Sequence, residues 1–132
     1  MSHSRSIWAG RFISGVAVLF LLFDAVIKVL RHPMAVETTV QLGYPADVVA
    51  LLGVIELVCL VLYLVPQTSL VGAILWTGYL GGAVATHVRV GSPLASHTLF
   101  PIYVAALLWA GLWLRDARLR TAVRVATSPS HA

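Results

Sequence analysis

Asp24 and Lys28 stand four residues apart inside an otherwise apolar run. On a helix that spacing puts both side chains on one face, where they can pair. Glu56 is the one charge in a second apolar run. His87, beside Thr86 and just before Arg89, ends a third, and His97 opens a fourth. A charged side chain in mid-membrane costs roughly 3 kcal/mol on insertion scales, so such groups pair, face a bundle interior or line a wet cavity. Glu56 has no partner in its own segment. It needs one from another, with Lys28 or His87 best placed, or it must carry a proton. Two readings follow. In one, these residues form a structural polar clasp that keeps helices in register. In the other, they form an outward-facing site for a small ligand or a proton. Glu56 and His87 are then the groups able to gain or lose a proton. Lys28 and Arg89 would attract an anionic or carbonyl-bearing headgroup, and Tyr79 and Tyr103 would hydrogen-bond it. His87, His97 and Glu56 match no recognised metal-ligand spacing, so no metal is expected. His3 and His131 lie near the chain ends and carry no argument.

The elements that must position these residues are apolar stretches long enough to span a bilayer, which takes ~20 residues. Four are predicted: a first helix over about 7–30, a second over 48–65, a third over 70–88 and a fourth over 98–114. Pro66 closes the second, Gly91-Ser92-Pro93 breaks the chain after the third, and Pro101 falls in the first turn of the fourth, where proline is tolerated. Between Pro33 and Gly43, Met34 to Leu42 predicts a short amphipathic helix, too short to span, lying at the membrane surface. The fold class is all-α: an integral membrane four-helix bundle with that amphipathic segment between helices one and two. One transmembrane domain covers 1–120, and a flexible cytoplasmic tail covers 121–132.

Composition agrees. Of 132 residues, 59% are hydrophobic and 11% charged, and the mean hydropathy is +0.90. A soluble domain carries roughly 25% charged residues. The net charge of +4 comes from basic residues at helix ends and in the tail, where topology and anionic lipid account for them. Nucleic acid is not an expected partner. Arg5, Arg11, Arg115, Arg118, Arg120 and Arg124 fall on one side, and Lys28, Arg31 and Arg89 on the other. The richer side holds both termini, which predicts cytoplasmic ends in a bacterial inner membrane. Trp8 and Trp113 then lie at the inner interface, and Tyr44, Phe100 and Tyr103 near the outer one. A cut after Ala25 would put Phe23 where signal cleavage needs a small residue, so the first helix is expected to stay. Cys59, the single cysteine, reads as a buried small hydrophobe.

Small residues suggest where helices approach. The third helix holds Gly78-x-x-x-Gly82 and the fourth Ala106-x-x-x-Ala110. In lipid, such residues let backbones close in and gain dispersion contacts. Packing within the bundle is the expectation; a dimer seam or a ligand groove is the alternative. No Walker loop, G-x-S-x-G, H-E-x-x-H or C-x-x-C is present.

Several strings carry a resemblance. Leu70 through Gly91, with Trp76-Thr-Gly-Tyr79 and Thr86-His87-Val-Arg89 inside it, looks like the DoxX-like family of small bacterial membrane proteins. Gly53-Val-Ile-Glu56 with Leu64-Val-Pro66, Phe20-Leu-Leu-Phe-Asp24 with Lys28, and Trp109 through Arg120 resemble the same family's other helices. The likeness runs from about Trp8 to Arg120. It implies a four-helix membrane fold. The family name comes from a thiosulfate–quinone oxidoreductase subunit, and relatives are linked to membrane redox complexes. It also implies that Asp24, Lys28, Glu56, Thr86 and His87 share one polar site.

The leading expectation is a non-enzymatic membrane module. It would bind a lipophilic molecule, a quinone-like compound or a membrane lipid, in the outer-half pocket, or act as a subunit of a membrane complex or homo-oligomer. No cofactor is expected. A second reading is a membrane oxidoreductase subunit in which Glu56 and His87 transfer protons to a bound quinone-like substrate. A small transporter is a third, and four helices without a clear repeat suit it poorly.

Overall fold

The computed structural model describes residues 3–129; His131 and the end of the expected tail lie outside them. Among the described residues there are six α-helices and no strand: α1 (His3–Val29), α2 (Pro33–Gln41), α3 (Val49–Leu64), α4 (Ser69–Val90), α5 (Phe100–Arg115) and α6 (Ala117–Thr127). A 3-10 turn, Ala46–Val48, leads into α3, and a π turn, Leu94–Thr98, leads into α5. With those turns, α1, α3, α4 and α5 give four stretches of 27, 19, 22 and 22 residues, each long and apolar enough to cross a membrane.

Local chemistry sets the ends. Arg31 takes φ 54°, the left-handed turn that stops α1, and the His32 N–H returns to the Ile27 carbonyl. His32 Nδ1 then accepts from the Met34 N–H, and Pro33 supplies the first turn of α2. Gly91, at φ 73°, closes α4, and the Ser92 N–H reaches back to the His87 carbonyl.

The four spanning helices form a ring in which α1 lies between α3 and α5, and α4 closes the far side. The interior is small: Ala17, Leu21, Ala25, Tyr63, Trp76, Leu108 and Leu112 are buried. Outward faces are just as apolar. Leu51, Val54, Val58 and Val61 on α3 all point away from the bundle. In water that would be an exposed hydrophobic surface; in lipid it is the solvated one.

Close approach is made at glycines other than the expected pair. A methyl group on Gly10 would come 2.7 Å from the Gly111 carbonyl oxygen, and one on Gly53 would come 2.8 Å from the Ala25 carbonyl oxygen. These are the α1–α5 and α1–α3 crossings. Gly72 lies against the backbone of Leu62 and Tyr63 in the α3–α4 hairpin. Gly78 and Gly82 touch no neighbouring helix, since a methyl at either would meet nothing within 4 Å. Ala106 and Ala110 are exposed. The expectation that these four pack helix on helix is therefore corrected. A repeat of small residues marks a thin face and does not say what faces it.

Two further differences concern the ends. The amphipathic segment does form, but α2 buries its small face, Ala35 and Thr39, and turns Met34 and Val40 outward. The stretch expected to be a flexible tail from 121 is helical to Thr127. Asp116 caps that helix, accepting from the Arg118 N–H at 2.9 Å, and Arg118 Nη2 donates to the Pro66 carbonyl at 2.5 Å. Leu119 packs into the core. The hydrogen bond from the Arg118 side chain holds the Asp116 carboxyl below the usual carboxylate range.

Two outcomes follow. Gly10→Ala and Gly53→Ala should each lower stability in detergent by about 1–3 kcal/mol through overpacking. Gly78→Ala and Gly82→Ala should stay within about 0.5 kcal/mol of the parent. Thermal unfolding of all four separates the two groups, and equal losses would contradict these crossings. The second outcome concerns pH. The Asp116 carboxyl titrates lower in the folded chain than in the unfolded one. Its contribution is complete above the unfolded value of about 4 and is lost as pH falls through the folded one. Protection of the 117–127 amides, measured relative to the intrinsic exchange rate at each pH, should therefore fall in acid, and Asp116→Asn should remove that pH dependence.

Candidate functional site

At the end of the bundle away from the termini, three spanning helices contribute to one ionic cluster. Asp24 and Lys28 come from α1, Glu56 from α3 and Tyr79 from α4. Lys28 Nζ donates to Asp24 Oδ2 at 2.6 Å and to Glu56 Oε1 at 2.5 Å. It also lies 3.5 Å from the Tyr79 hydroxyl. Tyr79 donates its own proton to the same Glu56 Oε1. The ring edge of Trp76 meets Tyr79 at 5.6 Å and 84°, fixing the tyrosine from behind. Side-chain exposure is graded: 35% for Asp24, 16% for Lys28 and 0% for Glu56. The helical spacing of Asp24 and Lys28 produces the first pairing. The second needs α3 to lie against α1, which Gly53 permits.

The second carboxylate oxygen, Glu56 Oε2, is buried without a hydrogen-bond partner among the described residues. Such an atom ordinarily costs about 1–3 kcal/mol.

Beside this cluster lies a cavity of about 480 Å³. Asp24, Lys28, Glu56 and Tyr79 form its polar end, and Phe20, Leu52, Leu80, Phe100 and Val104 are among its apolar walls. Gly78, Gly82 and Ala83 of α4 also face it, so the thin side of α4 borders a void instead of a helix. Phe20 and Phe100 meet edge to face at 5.3 Å across the α1–α5 side. Thr38 and Thr39 of α2, and Leu42 just after it, cover it. Tyr44, in the loop after α2, donates to Thr86 Oγ1 at 2.8 Å, while Thr86 donates to the Gly82 carbonyl. Volume and lining match those of small-molecule pockets, which are mostly apolar with a few placed polar groups.

The structure therefore brings together Asp24, Lys28, Glu56, Tyr79, Thr86 and His87 around one space. His87 does not reach Glu56. Its Nδ1 shares a hydrogen bond with Ser92 Oγ at 3.0 Å, and its ring stands 6.0 Å from that of His97. Arg89 is not in the lining; Nη2 donates to the Leu42 carbonyl at 2.7 Å and braces the α2 loop. Tyr103 is also outside it, 49% exposed on the outer face of α5. The two expectations for Arg89 and Tyr103 are thus corrected. Both sit at the right depth, but helix rotation, which depth does not report, turns them away.

Sequence reasoning did not find Tyr44, Thr38, Thr39 or Phe20 as cavity walls. The signal was the segment read as surface-lying, whose polar and small side turns inward. A second polar network escaped it as well. At the end of the bundle near the termini, Tyr63 donates to the Leu108 carbonyl at 2.7 Å, and Ser14 Oγ shares a hydrogen bond with the Tyr63 hydroxyl at 3.0 Å. Arg115 Nε donates to Ser14 Oγ at 3.2 Å, and its guanidinium lies 5.0 Å from the Tyr63 ring centre. Among the described residues no three His, Cys, Asp or Glu side chains are grouped to hold a metal ion.

Comparison with curated proteins and with solved structures gave no match. The profile of the DoxX-like family matches residues 12–111, about three-quarters of the chain, and that span contains the whole ionic cluster and the cavity walls. With four apolar spans arranged around that cluster, this chain belongs to the DoxX-like family and is a multi-pass membrane protein.

Proposed function

We propose that this protein is a membrane-embedded binding module. It takes a small lipophilic molecule into the cavity beneath α2, with the polar headgroup at Asp24, Lys28, Glu56 and Tyr79. The observation that carries the reading is the void itself, about 480 Å³ beside the ionic cluster. It is a partly open cleft, with Phe20, Gly78, Gly82 and Phe100 of its lining exposed, so a lipophilic molecule can enter from the membrane and reach the ionic cluster. A structural clasp requires only the Lys28–Glu56 and Tyr79–Glu56 bonds, and those bonds do favour a clasp as a second role. A clasp gives no reason for α4 to keep Gly78, Gly82 and Ala83 where larger side chains would fill the space. The two roles are compatible: the bonds hold α1, α3 and α4 in register, and the register keeps the void open.

We further propose a bacterial cytoplasmic membrane location with both termini in the cytoplasm. The helix ends nearest the termini come together: Ser6 Oγ donates to the Leu114 carbonyl at 2.9 Å. That end carries Arg11, Arg115, Arg118, Arg120 and Arg124, and the far end Lys28, Arg31 and Arg89. Positive charge accumulates on the cytoplasmic side.

The cavity is tested by filling it. Gly78→Leu should leave the melting temperature in detergent nearly unchanged while reducing the co-purifying lipophilic species, read by native mass spectrometry, by about tenfold or more. Glu56→Gln should weaken the same binding more than it lowers stability. Unaltered binding with a large drop in melting temperature would leave the clasp alone standing. For orientation, a fluorescent protein fused after Ala132 should fold and fluoresce, whereas an alkaline phosphatase fusion there should be inactive. The reverse pattern would overturn the assignment.

A further inference from the structure

We infer that the cavity selects a lipophilic amine: an apolar chain bearing a protonated ammonium headgroup. The inference rests on the binding-module reading and specifies the ligand's chemistry.

Hydrogen-bond donors around the cavity are already spent. Lys28 has three N–H donors and no acceptor. Asp24, Glu56 and the more distant Tyr79 hydroxyl occupy them. The Tyr79 proton goes to Glu56. Tyr44 donates to Thr86, and Thr86 to the Gly82 carbonyl. Thr38 and Thr39 are spent on the carbonyls of Met34 and Ala35 in their own helix. The remaining donor-capable side chain in the lining is His87, two helical turns or about 12 Å along α4 from Tyr79. No side-chain donor in the lining is left for a ligand at the polar end; the unpartnered Trp76 Nε1 nearby is buried behind Tyr79 and outside the lining.

Acceptors are in surplus there. Asp24 gives one oxygen to Lys28, and its other, Oδ1, makes no hydrogen bond among the described residues. Glu56 Oε2 is likewise unpartnered and more deeply buried. Charge points the same way. The formal charges in the lining are two carboxylates and one ammonium, an excess of one negative charge. Helix dipoles do not offset it, because the cluster lies within its helices and not at an N-terminus.

A carbonyl compound such as a quinone, with acceptors only, finds nothing to donate to it. A carboxylate or phosphate headgroup meets the negative excess as well. An alcohol or quinol supplies a donor but no charge. An ammonium supplies both, and Asp24, the most exposed member of the cluster, is its first acceptor. The apolar chain then lies along Phe20, Leu80 and Phe100. The anion-attracting role expected of Lys28 is thereby reversed: that ammonium is already neutralised, and the cluster as a whole calls for a second cation.

The test titrates four probes of similar length against the full chain in a neutral maltoside detergent, with adducts counted by native mass spectrometry. The probes are dodecylamine in its protonated form, dodecanol, dodecanoate and a decyl-substituted benzoquinone. Gly78→Leu, whose cavity is filled, sets the non-specific background. Dodecylammonium should bind about tenfold or more tightly than dodecanol, the size of one hydrogen bond to a charged group. Dodecanoate and the quinone should stay at background. Asp24→Asn should reduce the amine to the alcohol's affinity, a larger change than its effect on the melting temperature, and Asp24→Glu should restore part of the difference. If Asp24→Asn proves unstable, the ranking of the four probes on the parent protein decides alone. Tighter binding of dodecanoate or the quinone than of the amine, abolished by Gly78→Leu, overturns the amine assignment and leaves the pocket in place. No probe above background overturns both.

Discussion

One ammonium group between two carboxylates, inside a bundle with lipid on its outside, is the constraint from which the rest follows. Lys28 joins α1 to α3 through Glu56, and Tyr79 extends that join to α4 through the same oxygen. None of these groups is stable alone at that depth. Each is tolerated because the others are within hydrogen-bonding distance, which requires three helices to hold their depth and rotation together. The cluster therefore acts on architecture before it acts on any ligand. Desolvation opposes it, and close geometry offsets that opposition. It does so incompletely, since one glutamate oxygen remains without a partner.

Helix contacts divide the molecule accordingly. Where α1 crosses α3 and α5, Gly10, Gly53 and Gly111 bring backbone against backbone, and there is no room for a methyl group. Those crossings are closely packed. Across the ring, α4 presents its glycines to space. The same residue type thus serves two ends, contact on one side and volume on the other. A bundle of four short spans can hold a cavity of ligand size because its tight crossings are concentrated around α1. The short helix α2, tied down by Tyr44 on Thr86 and by Arg89 on the Leu42 carbonyl, covers the result.

Family membership and geometry speak to different matters. The DoxX-like match establishes the kind of protein and covers the residues of the cluster. The chemistry of a ligand depends on which donors are already spent and which acceptors are left over, and those are properties of this chain's own side chains.

Much of this was legible in the residues themselves. Four apolar stretches, the proline and glycine breaks between them, and the Asp24–Lys28 spacing depend only on composition and helical period. Membrane solvation makes them nearly obligatory, because an unpaired backbone or charge has nowhere else to go. That Glu56 must find a cation on another helix was legible too; which cation was not. Lys28 and His87 lay at comparable depth, and only the rotation and crossing of α1 against α3 chose Lys28. Rotation also moved Arg89 and Tyr103 out of the site and brought in Tyr44, Thr38 and Thr39. It turned Gly78 and Gly82 toward a void instead of a helix. A helical pattern determines which residues share a face, but neighbouring helices decide what each face meets, because in lipid apolar side chains are equally content facing outward or inward.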